Sequence, residues 1–421
     1  MPAGTMRNRL LRGAVHLVFL VGLLEGSSWL AIAVISPRLD EPIRRTQVIF
    51  REQSERIQHM LDSLPSVLLT VPDGTLGWRY RPGYRSASKT ISSQGLRGAR
   101  EYAAEPPAGT LRAVAFGDSY VFGAMVNDSS AWPAVVERTF PGIEVPNYGV
   151  SGYGLDQTFL ALLARGKELH PQVVIVGIVP PGLGRVVSIY LRFLSSLEQP
   201  LAKPRFLLSD SGVLTLVPNP LPGEQDYRRI LRHPRDVLAY GRLDDWYTPL
   251  VYANPLYDYS ATVRLVTALW IRISRRYFAR NRLYIGPYVN PNADAFKIHV
   301  ALFERMADSI KQWGATPMLV FFPDPYALMR TMRGLPPPYQ PLLDTLRAHG
   351  LKPLDAASAF PATRRTDVGR WFAYGHLSVQ GNQVVARWLG RMLAERQPSA
   401  SYPARHASTA ARIRTAAAPV P

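Results

Sequence analysis

Ser119 and His376 are the two side chains in this sequence whose types and settings could carry nucleophilic chemistry. Ser119 closes the triplet Gly117-Asp118-Ser119, directly after the short apolar run Leu111-Arg-Ala-Val-Ala-Phe116. Such a run predicts a buried strand. A serine at its end stands where an open α/β sheet presents its site, outside the carboxyl ends of the strands. Gly, Asp and Ser are also ordinary turn residues, so the triplet alone fits a plain strand-to-helix turn as well. A serine hydroxyl is a weak nucleophile until a base takes its proton, which requires a histidine within hydrogen-bond reach. Of the eight histidines, His16 falls in an apolar N-terminal run, His59 in a polar stalk and His406 in the tail. His170, His299 and His349 fall on helices or at their ends, and His233 lies in an insertion. His376 differs. It sits in the loop Trp371-Phe-Ala-Tyr-Gly-His-Leu-Ser378, just before the final helix, where a base can swing over the carboxyl edge of the sheet. A structural loop histidine is the alternative.

The elements that would position this pair follow from apolar periodicity. Strands are predicted at 111–116, 143–145, 173–179, 317–322 and 353–355, and helices at 131–140, 155–168, 294–313, 339–349 and 378–394. The first helix has Asp128 or Ser129 as its cap and tolerates Pro133 in its first turn. Strands separated by helices of this length predict βαβ units, hence an α/β fold with a mostly parallel sheet. An insertion at about 185–293 interrupts the rhythm. Within it, 204–217 reads as a hairpin turning at Asp210-Ser-Gly212. Val263, Val266, Trp270, Ile273 and Tyr277 then mark one helix face, with Arg264, Arg272, Arg275 and Arg276 on the other. The expected placement is apolar side inward with the arginines solvated; a basic helix lying on a membrane surface is the alternative.

At 421 residues and 47% hydrophobic content the chain can hold one large domain with appendages. It has no cysteine, which excludes disulfides, zinc-thiolate sites and cysteine nucleophiles. The net charge of +18 favours anionic surfaces such as phospholipid headgroups or acidic glycans. No nucleic-acid motif accompanies it, so nucleic acid is not an expected partner. Residues 14–35 form an apolar run long enough to cross a bilayer. Arg7, Arg9 and Arg12 precede it, which sets the N-terminus in the cytoplasm and everything after Pro37 outside it. Glu25 interrupts the run, and a carboxyl at that depth is expected to be protonated or paired with another helix. The run resumes from Trp29 to Ile35, which favours an uncleaved anchor over a cleaved signal peptide. The chain thus divides into an anchor at 1–37, a stalk and lead-in at 38–109 and a domain at 110–395. The tail at 396–421 is too poor in apolar residues to fold.

Taken together these residues resemble the SGNH/GDSL hydrolases, particularly their membrane-anchored bacterial members. The matching stretches are Gly117-Asp118-Ser119, then Asn147-Tyr-Gly-Val-Ser-Gly152-Tyr-Gly-Leu-Asp-Gln157, then Gly375-His376-Leu-Ser-Val-Gln-Gly-Asn382. Leu76-Gly-Trp78, Ser93-Gln-Gly-Leu-Arg-Gly98 and Val320-Phe-Phe-Pro323 also look like these members. The resemblance spans roughly residues 75–393 and is weakest in the insertion. It implies a three-layer, flavodoxin-like α/β fold with no metal and no cofactor. Ser119 would be the nucleophile and His376 the general base, with the backbone N–H groups of Ser119 and Gly152 as oxyanion donors. The implied substrate is an ester, with O-acetyl groups on a glycan of the cell envelope as the expected target. Water as acceptor would make the chain an esterase, and a sugar hydroxyl an acyltransferase.

Two departures from the family pattern matter. Where the family places an oxyanion-hole asparagine after the strand at 173–179, this chain reads Pro180-Pro-Gly-Leu-Gly-Arg185, leaving Arg185 as the substitute donor. Where the family places an acid two or three residues before the histidine, Tyr374 and Ala373 stand instead. Asp355, Asp367 and Asp324 are the nearest replacements, and Asp118 is a further supporting carboxylate. A Ser-His dyad would work more slowly, since losing correct tautomer control in a serine protease costs about 10⁴ in rate. The same departures motivate a rival of another class, a degenerate member that binds a glycan or a partner protein without turnover.

Overall fold

The computed structural model describes residues 3–39, 41–63, 68–195, 198–278, 282–361 and 365–397. Five short runs rich in Val, Ile and Leu form one parallel sheet: β1 (Leu111–Gly117), β2 (Ile143–Glu144), β3 (Val173–Ile178), β4 (Thr316–Phe321) and β5 (Leu354–Asp355). Their spatial order is 2-1-3-4-5, the flavodoxin-like doubly wound arrangement. Register is fixed by Ala113 beside Val173, Val173 beside Thr316, Leu111 beside Ile143 and Val320 beside Leu354.

Alternation along each strand feeds two cores. Val114, Phe116, Val174 and Val176 point to one face, Ala113, Ala115, Ile175 and Val320 to the other. The first face is covered by helices Leu155–Arg165, Asp294–Gln312 and Gln340–Ala348, the second by Trp132–Thr139 and Val379–Ala394. Burial on both faces is why these strands read as continuous apolar runs instead of alternating ones. In the order 2-1-3-4-5 the connections leave β1 and β3 toward opposite faces, which opens a crevice at their carboxyl ends. Gly117 and Gly177 lie side by side there. A Cβ on Gly117 would fall 2.2 Å from the Gly177 carbonyl oxygen, so only glycine lets the backbone approach this closely.

The N-terminal helix α1 (Ala3–Ile35) forms most of a segment, Asn8–Arg38, long and apolar enough to cross a membrane by length and composition. A polar helix, α2 (Thr46–Asp62), follows it, and the hairpin of Thr70–Asp73 with Gly77–Tyr80 leads into the domain. Within the insertion, Arg205–Leu208 and Leu214–Val217 form the expected hairpin. Beneath it the Lys203 ammonium, fully buried, is paired with the equally buried Asp156 carboxylate at the start of helix Leu155–Arg165.

The insertion's long helix, α3 (Ala261–Ile273), overturns one expectation. Its apolar side faces outward: Val266, Leu269, Trp270 and Ile273 are between 44% and 59% exposed. Its arginines turn inward. Arg264 is buried and donates to the carbonyls of Tyr257 and Asp258, and Arg272 donates to the carbonyl of Glu41. The insertion is built of short turns whose backbone oxygens lack sheet or helix partners, and guanidinium groups satisfy them. The helix packs alongside α1 and runs in the same direction. At its start the Glu25 carboxylate accepts from the Ser260 hydroxyl and, at 2.7 Å, from the Ala261 N–H. Glu25 is thus paired with another helix, at the end where the helix dipole favours an anion.

Candidate active site

Ser119 is the first residue of a single helical turn, Ser119–Phe122, that leaves β1 at the crevice. Its N–H is therefore one of those with no intrahelical acceptor. Asp118 caps this turn. One carboxylate oxygen accepts from the Tyr120 N–H at 2.8 Å, and the other reaches across the crevice to the Val179 N–H at 3.0 Å. Burial pushes the Asp118 carboxyl upward, while the Arg185 charge and these two donors pull it back. Asp118 therefore latches the ends of β1 and β3 together and fixes the turn that presents Ser119. It bonds to neither catalytic candidate.

His376 sits on a two-residue hairpin in which Phe372 pairs with Leu377 and Ala373 with His376. Both central residues have positive φ, 48° at Tyr374 and 78° at Gly375. This is the combination that suits a tight turn between right-twisted strands. The hairpin sets the His376 ring over Ser119, with Nε2 3.0 Å from the serine Oγ. On the far side of the ring, Nδ1 lies 3.1 Å from the Tyr374 carbonyl oxygen. If Nδ1 carries the proton and donates to that carbonyl, Nε2 is left free to accept from the serine hydroxyl. A backbone carbonyl, not a carboxylate, holds the imidazole.

Two side chains that the sequence reading did not single out hold the hairpin in place. Tyr120, next to the serine, donates its hydroxyl to the Gly375 carbonyl at 2.5 Å, and its ring lies 5.5 Å from that of His376. Asn382 donates to the carbonyls of Leu377 and Ser378 and accepts from the Trp132 N–H. The available signal was its place in the stretch Gly375 to Asn382, one helical turn after Ser378, whose hydroxyl caps the last helix.

The loop from 145 to 154 runs beside β1, with Tyr148 and Val150 donating to the carbonyls of Ala115 and Gly117. Asn147 staples it to the serine turn through the Val121 carbonyl. Gly152 follows with φ of 85°, a backbone that a side chain would strain, and its position faces the Trp78 ring. Among the described residues its N–H donates to no protein acceptor. The lead-in supports this loop from outside: Trp78 donates to the Ser151 carbonyl and accepts from the Tyr153 hydroxyl, and Gln157 donates to the Leu76 carbonyl. Arg185 directs its guanidinium to Glu198 at 2.7 and 2.9 Å and to the Tyr153 carbonyl. Its donors are thus committed to the loop region, and its charge acts on Asp118.

Neither Asp355 nor Asp324 bonds to His376. Asp355 accepts from the Tyr339 hydroxyl at 2.8 Å and from the Ala357 N–H at 2.9 Å, capping the turn that follows β5. Asp324 caps helix Pro325–Thr331 through the Ala327 N–H. Burial raises both carboxyls above their usual range. The side chain of Asp367, like the tail after 397, lies outside the described residues. Replacing Asp355 with Ala is expected to cost about 1 kcal/mol in chemical denaturation, the scale of a lost cap. Ester turnover should stay within about twofold; a fall of about 10²-fold or more would give Asp355 a role in the chemistry.

The geometry defines an α/β protein with a serine-histidine pair at the topological switch point of a parallel sheet. Among solved structures, the chain is similar to a Desulfitobacterium hafniense DCB-2 protein named for the G-D-S-L family of lipolytic proteins. The identity is 13% and the TM-score 0.30, over 67% of this chain and 99% of that one. A second solved structure aligns over 69% of this chain and 99% of its own, at 10% identity and a TM-score of 0.32. No family profile and no curated protein matches the sequence.

Proposed function

We propose that this chain is a membrane-anchored serine ester hydrolase of the cell envelope, with Ser119 as nucleophile and His376 as general base. The observation that carries the reading is the 3.0 Å approach of His376 Nε2 to Ser119 Oγ, with Nδ1 held by the Tyr374 carbonyl. Ser119 Oγ attacks the ester carbonyl carbon while its proton passes to Nε2. The N–H groups of Ser119 and Gly152 stabilise the oxyanion. Collapse of the tetrahedral intermediate expels the alcohol, which takes the proton from Nε2, and leaves an acyl-serine. Water, activated by the same nitrogen, then releases the acid. The N–H of Gly152, which donates to no protein acceptor among the described residues, and that of Ser119, which has no intrahelical one, support this arrangement.

An O-acyl group on a glycan is the proposed substrate, with hydrolysis preferred over transfer to a second sugar. Tyr374 supports a sugar-bearing substrate, because it is 93% exposed beside His376 in a backbone conformation that tyrosine seldom adopts. Tyr374→Asn keeps the carbonyl and suits the turn, since Asn-Gly is the favoured pair there. The variant is expected to raise KM for an acetylated oligosaccharide by up to about tenfold, the scale of one aromatic contact. Turnover of a small phenyl acetate should be unchanged; loss of both activities alike would deny the ring a substrate role.

The lack of a carboxylate bonded to His376 among the described residues favours one second reading, a binding module without turnover. A fluorophosphonate probe decides between the two. Labelling of Ser119 that disappears in His376→Ala supports the hydrolase, and no labelling of the natural chain supports the module.

A further inference from the structure

A cavity of about 810 Å³ lies away from Ser119, at the far end of α3. Arg272, Arg275, Arg276 and Arg282 line it, with Trp246 and one carboxylate, Asp245, which is paired with Arg205 outside the lining. The four guanidinium groups have protein partners, but these are neutral. Arg272 donates to the Glu41 and Ala268 carbonyls, and Arg275 to the Trp246 carbonyl and the Thr248 hydroxyl. Arg276 donates to the Tyr277 hydroxyl and Arg282 to the Arg276 carbonyl. Burial holds the Arg275 guanidinium below its usual pKa, a cost that a bound anion would remove. Clustered cations held by neutral acceptors in a cavity of this size are suited to an anionic group with several acceptor oxygens.

The surroundings indicate which anion. Through Glu41 the cavity touches the chain three residues beyond Arg38, where the apolar segment of α1 ends. From there back toward Ser260, α3 shows its outward stripe of Val266, Leu269, Trp270 and Ile273 alongside the exposed apolar surface of α1. A basic cavity at the end of a continuous apolar strip has the form of an amphiphile site, charged head at one end and hydrocarbon along the rest.

We propose that this cavity binds the phosphate headgroup of an anionic phospholipid, with its acyl chains lying along the outward stripe of α3. The site would fasten the insertion, and through it the domain, against the outer surface of the bilayer. This inference rests on the reading of α1 as a membrane anchor.

The test uses the full chain in bilayers of phosphatidylcholine containing phosphatidylglycerol, with retained lipid measured by native mass spectrometry. Retention of phosphatidylglycerol about tenfold above its bulk fraction is expected. It should fall to the bulk fraction in Arg276→Gln/Arg282→Gln and persist in Arg387→Gln, an exposed arginine on the last helix. Equal retention in the natural chain and the double variant would overturn the proposal. So would equal loss in the Arg387 variant, which would indicate charge alone. Glycerol 1-phosphate, titrated against the detergent-solubilised chain, separates the sources. Binding of it that the double variant loses, without any lipid enrichment, would overturn the lipid in favour of a soluble phosphate ester. Flotation after an alkaline wash reports on the anchor separately: release from the bilayer would sink the anchor reading and leave the glycerol phosphate result standing.

Discussion

Ser119→Ala and His376→Ala are each expected to lower ester cleavage by about 10⁴-fold or more, with the fold unchanged by circular dichroism. Such a loss corresponds to roughly 5 kcal/mol of barrier at 1.36 kcal/mol per decade. The two effects do not add, since without the base the hydroxyl stays protonated, and without the hydroxyl the base has nothing to activate. The double variant should therefore match either single one. Steady-state kinetics on an activated acetate ester measure this directly. A double variant whose loss is the product of the single losses would show that the two residues do not act as a unit, in spite of their 3.0 Å contact. The expectation differs from that for a full triad in one respect. The group behind His376 is the neutral Tyr374 carbonyl. It can fix the tautomer but gives an imidazolium less help than a carboxylate would, so the natural chain should turn over more slowly than a carboxylate-assisted serine enzyme.

Lys203→Met destabilises the domain by about 3–5 kcal/mol, the largest stability effect expected of a single change here. The ammonium is fully buried and meets two partners, Asp156 and the Pro204 carbonyl at 3.0 Å. Burial lowers the lysine pKa, and the neighbouring Asp156 charge offsets part of that shift. Removing the cation leaves a carboxylate enclosed with, among the described residues, only the Gln157 N–H to satisfy it. Asp156 opens the helix just after the Gly152 loop, and Lys203 belongs to the insertion, so the pair fastens the insertion to the body of the domain. The double variant Lys203→Met/Asp156→Leu should recover most of the loss, because an apolar pair of similar volume fills the space without an unpaired charge. Urea denaturation of the natural chain and the two variants measures this. A double variant less stable than Lys203→Met would show that packing, not the orphaned charge, sets the effect.

Much of the site was legible from Ser119 and His376 themselves. Each stands next to an element whose type the sequence declares: a fully buried strand before the serine, an amphipathic helix after the histidine. The strands lay within a residue or two of their predicted places because both faces of the sheet are covered, and continuous apolar runs such as Val173 to Ile178 have few other homes. Helix α3 went the other way. Its periodicity marks that two faces differ and says nothing about which one turns inward. The neighbours decide that. Here they are the carbonyl-rich turns of the insertion on one side and the flank of α1 on the other.

The group behind His376 shows the same limit more sharply. By side-chain type the sequence offers Asp324, Asp355 and Asp367 as acids. What meets Nδ1 is a backbone oxygen, which every residue carries and no sequence position advertises. Sequence by itself determined the order of serine, loop glycine and histidine, and the strands and helices that carry them. These are local properties, written in apolar spacing and in residue type. The tertiary structure decided that a positive-φ hairpin at Tyr374-Gly375 would supply the histidine's partner, and that Tyr120 and Asn382 would hold that hairpin over the serine. The Tyr120–Gly375 and Trp132–Asn382 contacts join residues 255 and 250 positions apart, so they exist only once the sheet has brought its carboxyl ends together.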